Sequence, residues 1–244
     1  MNLSIAQNIR KSGKPFVFYH THEVTRDLLE LAISTEKSMD LDICVDRFGT
    51  PFLGHSDEYY EKHTEVRAQS MPLWEAVELL STSFIPVMVD CKHFEAWKFV
   101  ETTIGKISPS KCLVHAFVAE FNFLNSNKAP DVSCEWIPLK QLKELKAMFP
   151  FLTTTASAKG LPHDLFENKQ HKELLQFIKS SLKENLIDTV CLNIPDELFS
   201  DGVLKFFLDD GIIPHVMIDN IDTRKFSEIY IGETDYLTLA SSFA

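Results

Sequence analysis

Met39-Asp40-Leu41-Asp42-Ile43-Cys44-Val45, running on through Asp46-Arg47-Phe48-Gly49-Thr50-Pro51-Phe52-Leu53-Gly54-His55, is the stretch that decides the fold. Its first seven residues read as a strand, so Asp40 and Asp42, at alternate positions, project from one face. A Gly-containing turn and a second short extended run predict a hairpin that brings His55 back nearby. Upstream, Phe16-Val17-Phe18-Tyr19-His20 is another strand-like run ending on a histidine. Downstream, Phe84-Ile85-Pro86-Val87-Met88-Val89-Asp90-Cys91-Lys92 is a third, with Asp90 and Lys92 on a shared face. Three carboxylates and two histidines at strand ends predict a site for a hard divalent cation with acid/base partners.

Outward from this stretch, helix-like and strand-like segments alternate. Helical spacing marks residues 22–37, 72–80, 95–107, 138–148, 171–185, 197–208 and 223–230, with Pro72 in a first turn and Gly211 as a stop. Extended runs fall at 111–118, 151–156, 187–194, 212–218 and 236–239. Eight strands with intervening helices predict an α/β chain folded as a single (β/α)8 TIM barrel over residues 1–244. Sites in such barrels form at the C-terminal ends of strands, where His20, Asp42, Asp90 and Lys92 fall. The chain stops at Ala244, so no full eighth helix is expected, and residues 3–11 are expected to cover part of the barrel. Residues 122–135 and 157–168 are expected to form surface loops near the site.

The 244 residues are 45% hydrophobic and 24% charged, an ordinary globular composition for one domain. The excess of 35 acidic over 24 basic residues, a net charge of −11, reads as a solubilising surface that repels nucleic acid and anionic membranes, with local basic pockets left open, so no nucleic-acid partner is expected. No apolar run reaches the length of a membrane span, and no secretion signal is read at the N-terminus. The five cysteines are scattered, with Cys44, Cys112 and Cys191 inside apolar runs. They predict buried thiols in a reducing compartment, the cytoplasm, and not a disulfide or zinc framework.

The ordered set of motifs resembles the glycerophosphodiester phosphodiesterase family, part of the phospholipase C-like phosphodiesterase superfamily. That family ends its first strand on His-Arg-Gly, carries Glu-x-Asp on the second, follows it with a hairpin ending in His-Asp, and has Ile-Glu-x-Lys on the third. His20 stands at the first histidine, Asp40-Leu41-Asp42 at the Glu-x-Asp, and His55 at the histidine that ends the hairpin. Val89-Asp90-Cys91-Lys92 resembles the third-strand motif, and Pro72-Leu73-Trp74-Glu75-Ala76-Val77 the start of the helix between them. The departures are Thr21 in place of the arginine, Ser56 in place of the second aspartate, and Asp40 and Asp90 where the family has glutamates.

The resemblance implies that Asp40, Asp42 and Asp90 hold one divalent cation, Mg²⁺ or Ca²⁺. It implies His20 and His55 as an acid/base pair, with His20 favoured as base, His55 as acid and the reverse assignment left open, and Lys92 as the cation that neutralises a phosphate oxygen. The implied substrate is a small phosphodiester, a glycerophosphodiester or a related phospholipid head group; the leaving alcohol and the oligomeric state stay open. The departures motivate a second expectation, a barrel acting as a binding or regulatory protein. A third, an aldolase-like barrel, requires a desolvated nucleophilic lysine, and Lys92 beside Asp90 is too well paired for that. His22, His63, His93 and His115 read as structural or surface residues, and Trp74 as helix packing. Trp136 is a candidate for the mouth of the barrel. Residues 117–123 read chiefly as core, with an apolar wall as their functional alternative.

Overall fold

All seven residues of the Met39–Val45 strand are buried, the mark of a strand covered on both faces. The structure, a computed structural model, describes residues 3–12, 17–20, 24–54, 70–92, 94–122, 139–159, 169–193, 206–218 and 229–233. In chain order the elements are α1 (Ile5–Ser12), β1 (Val17–His20), α2 (Arg26–Ser34), β2 (Met39–Val45), β3 (Pro51–Leu53), α3 (Leu73–Thr82), β4 (Val87–Cys91) and α4 (Phe94–Ile107). There follow β5 (Cys112–Asn122), α5 (Leu139–Met148), β6 (Thr153–Lys159), α6 (Lys169–Glu184), β7 (Thr189–Asn193), β8 (Ile213–Ile218) and β9 (Ile229–Glu233). The strands form one curled α/β sheet in the order β1-β9-β8-β7-β6-β5-β4-β2-β3, with an additional β1–β2 pairing. Among the described strands only β3 is antiparallel to its neighbour; α2 to α6 supply the crossovers that the parallel strands from β1 to β7 require.

Alternate residues of each strand serve two different cores. Leu41 and Ile43 of β2, Val87, Val89 and Cys91 of β4, and Cys112 and Val114 of β5 pack with the buried faces of the helices. Leu28, Leu29 and Ala32 are the α2 contribution, and its N-terminus is capped by Thr25, whose Oγ1 accepts from the Leu28 amide at 3.3 Å. The residues in between face the concave side. There Met88 and Leu113 pack with Phe18 and Ile213 against Ile5, Ala6 and Ile9 of α1. The Ala6 amide donates to Thr153 Oγ1 at 3.0 Å, and the Arg10 guanidinium donates twice to the Gly211 carbonyl, at 3.1 and 2.6 Å. Thus α1 fills the concave face on the side of the strands' N-terminal ends, a more specific place than the expectation that residues 3–11 cover part of the barrel.

Several boundaries differ from those expected. Ile229 and Tyr230, expected to end a helix over 223–230, open β9, which pairs with β8 on one side and β1 on the other. The run expected as a strand at 236–239 lies outside the described residues. β5 and β6 continue past their expected ends, pairing Glu120 with Ser157 and Asn122 with Lys159, so Asn122 and residues 157–159 are strand and not loop. Pro72 is the N-cap of α3 and not part of its first turn. Of residues 197–208, those described are 206–208, and they are helical. Among the described residues no helix is long and apolar enough to cross a membrane.

Candidate functional site

The β2–β3 hairpin shows how the sequence sets the site. Asp46 Oδ1 accepts from the amides of Phe48 and Thr50, both at 2.9 Å, closing the turn around Gly49, whose φ of 81° suits glycine. β3 then pairs back on β2, Ile43 opposite Leu53, and the Gly54 amide donates to the Asp42 carbonyl at 2.9 Å. His55, the next residue, lies outside the described residues, as do Thr21 and Ser56. On the other side of β2, the register sets Asp42 beside Asp90 of β4, and Asp90 beside His115 of β5. Side chains at paired positions of parallel strands share a face, so these three form one row on the concave side, above Met88 and Leu113.

His20 closes the row from β1. Its Nδ1 lies 2.9 Å from Asp40 Oδ2 and 3.9 Å from Asp42 Oδ1. Lys92, one residue past β4, reaches back with Nζ 2.7 Å from Asp90 Oδ2 and 3.2 Å from Asp42 Oδ1. Asp40, Asp42, Asp90 and His20 are all buried. The described structure therefore brings together five of the six residues expected from the sequence.

Three carboxylates packed against each other out of water cannot all hold their charge cheaply. Burial pushes the Asp42 carboxyl up to about 7, aided by Asp40 and Asp90, while Lys92 and His20 pull it down. For His20, burial opposes protonation, but the charges of Asp42 and Asp40 and the hydrogen bond to Asp40 outweigh it and raise the imidazole to about 9. Burial also opposes the Lys92 charge, yet Asp90, Asp42 and Asp40 hold the ammonium protonated well above the usual lysine range. Asp90 moves the opposite way from Asp42: burial favours its neutral acid, but Lys92 and His115 hold it well below the usual carboxylate range.

The donor set fits a hard cation. Among the described residues, Asp40 Oδ1, both oxygens of Asp42 and Asp90 Oδ1 are buried without a hydrogen-bond donor; the contact of Asp42 Oδ1 with Lys92 is an ion pair without hydrogen-bond alignment. One ligand atom from each of His20, Asp40 and Asp42 lies within 4.8 Å of the others, a spacing that a single ion can span; Asp90, beside Asp42 in the row, stands outside that group. Oxygen-rich ligation of this kind suits Mg²⁺ or Ca²⁺.

The fold is shared with glycerophosphodiester phosphodiesterases. That from Parabacteroides distasonis matches at 11% identity and a TM-score of 0.56, covering 94% of this chain and 96% of the other. The enzyme from Agrobacterium tumefaciens matches at 10% identity and a TM-score of 0.55, covering 94% and 98%. The YdjI aldolase from Escherichia coli also shares the architecture, at 10% identity and a TM-score of 0.51, covering 96% and 82%. No protein-family model and no curated protein matches the sequence.

One residue read from sequence as structural belongs to the cluster. His115 is buried, its Nδ1 3.3 Å from Asp90 Oδ2 and its Nε2 2.5 Å from Ser157 Oγ. The signal that reveals it is its place beside Asp90 in the β4–β5 register, which sets both side chains in one row. Trp74, in contrast, packs as expected on its helix, edge-on to Phe99 at 5.8 Å between ring centres. Residues 123–138, with Trp136, lie outside the described residues.

Proposed function

We propose that this chain is a (β/α)8-barrel phosphodiesterase that hydrolyses a glycerophosphodiester or a related phospholipid head-group diester with one divalent cation, Mg²⁺ or Ca²⁺. The pairing of β1 with both β9 and β2 supports the closed barrel. The observation that carries the reading is the set of buried, unsatisfied oxygens on Asp40, Asp42 and Asp90, proposed as the metal ligands, beside an imidazole and an ammonium. When bound, the cation would act as a Lewis acid on the phosphoryl group and offset the carboxylate field that raises His20.

The chain's own residues supply the rest. Asp40 fixes the proton on His20 Nδ1, so Nε2 is the atom that takes the proton of the attacking water or of a vicinal hydroxyl. Oxygen attack on phosphorus forms one P–O bond and breaks that to the leaving alcohol. His55 follows Gly54, which is tied to the Asp42 backbone, and is assigned to give the alkoxide its proton. Lys92 contributes a fixed positive charge for a second phosphate oxygen. That fixed charge argues against aldolase chemistry, which needs a neutral amine. The burial of Cys44, Cys91, Cys112 and Cys191 suits the cytoplasm.

A second reading, a barrel that binds ligands without turnover, is favoured by one observation: Lys92 already supplies Asp42 and Asp90 with an internal cation. Calorimetric titration with Mg²⁺, Ca²⁺ and Mn²⁺, followed by assay of a glycerophosphodiester panel, separates the two. Metal-dependent release of glycerol phosphate that is lost in both His20→Ala and His55→Ala is the expected result. Failure of any of the ions to bind at millimolar concentration sinks the mechanism, and binding without turnover on any diester leaves the binding protein.

A further inference from the structure

We infer that His115, braced by Ser157, is a positioning residue that holds Asp90 so that its Oδ2 is spent on protein donors and its Oδ1 is presented to the cation. The inference rests on the divalent-cation site proposed above. A carboxylate ligand has two oxygens and a soft torsion, so something must decide which oxygen faces the ion. Here Oδ2 is approached from its own strand by Lys92 at 2.7 Å and from the neighbouring strand by His115 Nδ1 at 3.3 Å. Oδ1 is buried and lacks a hydrogen-bond donor among the described residues. Two donors from two strands resist rotation of the carboxylate in a way that one donor on its own strand does not.

Asp90 gives the imidazole its direction, because a carboxylate only accepts, and the hydroxyl of Ser157 can answer with a donor on the other side. A neutral histidine is a donor at one nitrogen and an acceptor at the other. With Nδ1 carrying the proton toward Asp90 Oδ2 at 3.3 Å, Nε2 is left to accept from the Ser157 hydroxyl at 2.5 Å. The sheet is built to permit this. His115 pairs in register with Thr155, yet the β5–β6 register shifts between His115 and Glu120, and Ser157, two residues beyond Thr155, is the hydroxyl within reach of the ring. Irregularities of this kind re-aim a side chain toward a site.

The test compares His115→Leu, which keeps bulk and loses the donor, with His115→Asn, whose amide nitrogen stands where Nδ1 stood. Mn²⁺ affinity is measured by calorimetry, and the tautomer of His115 by ¹⁵N NMR of the unsubstituted protein. His115→Leu should weaken Mn²⁺ binding about tenfold and His115→Asn should recover most of it, the usual scale for a residue that orients a ligand. The ring should carry its proton on Nδ1. The double variant His115→Leu/Ser157→Ala, which also removes the stranded hydroxyl, should show the same loss if the single variant folds poorly. Mn²⁺ affinity within twofold of wild type in a folded His115→Leu or double variant, or a proton on Nε2 alone, overturns the inference while leaving the metal site standing. A wild-type protein that binds no Mn²⁺ overturns both.

Discussion

Asp42→Asn tests the electrostatics of the cluster without relying on catalysis. Asp42 is fully buried, and its carboxyl rises from 3.8 to about 7, mainly through burial. At about 1.4 kcal/mol per tenfold change in proton affinity, the ionised side chain costs the metal-free fold on the order of 4 kcal/mol. The sign is fixed: a raised carboxyl binds its proton more tightly when folded, so stability is lost as pH climbs from about 4 through 7. His20 adds to the slope, because a histidine raised from 6.5 to about 9 gives stability that is present below 6.5 and lost as pH rises through 9. The two shifts share one interaction and do not add. The Asp42 cost is already net of the attraction to Lys92 and His20; a neutral amide removes it but buries polar groups of its own without partners, leaving a net gain of about 2 kcal/mol at pH 8. For a chain of this length that is about 4–8 °C in Tm. Scanning calorimetry in chelator should find Asp42→Asn more stable than the parent at pH 8 and no more stable at pH 5. Saturating Mg²⁺ should reverse the order at pH 8, since the parent alone keeps the full ligand set. A variant no more stable than the parent at pH 8 in chelator, or one with an unchanged pH slope, would refute the reasoning.

Other perturbations address the remaining parts. Lys92→Met strands Asp90 and Asp42 and should cost about 3–5 kcal/mol in urea unfolding without metal; a loss under 1 kcal/mol would show the pair to be dispensable. Millimolar Mg²⁺ should recover part of that loss. His20→Ala should lower kcat on an activated phosphodiester by about 10²–10⁴ while Mn²⁺ binding stays measurable, and near-wild-type turnover would remove its role as base. Ile5→Ala opens a void between α1 and the concave face and should cost about 2–5 kcal/mol with KM unchanged; a shift in KM instead would mean that α1 reaches the site.

Much of the site was legible because its determinants are local. Period-two spacing puts Asp40 with Asp42 on one side of a strand, and an Asp-x-x-Gly turn specifies the hairpin without outside help. His115 was missed because its role depends on the register between two parallel strands, joined by a helix and set by packing, not by either strand's own sequence. Once Asp90 is paired with His115, the histidine belongs to the row of carboxylates. β9 failed for another reason. Ile229-Tyr230-Ile231 is a short apolar run that extends equally well a helix before it or a strand, and the pairing partners that decide between them lie far off in sequence. Ser157 was misread as loop because β6 continues as strand only where β5 continues beside it.

The double partnership of β1 has a consequence for synthesis. One neighbour, β2, follows within a few dozen residues, whereas β9 pairs with Val17 from Tyr230, roughly 200 residues later, or tens of seconds at typical rates of translation. Throughout that interval the nascent chain carries an apolar strand edge with nothing yet made to cover it, an open template for another chain. Chaperone occupancy on the ribosome should therefore persist until β9 emerges and end soon after.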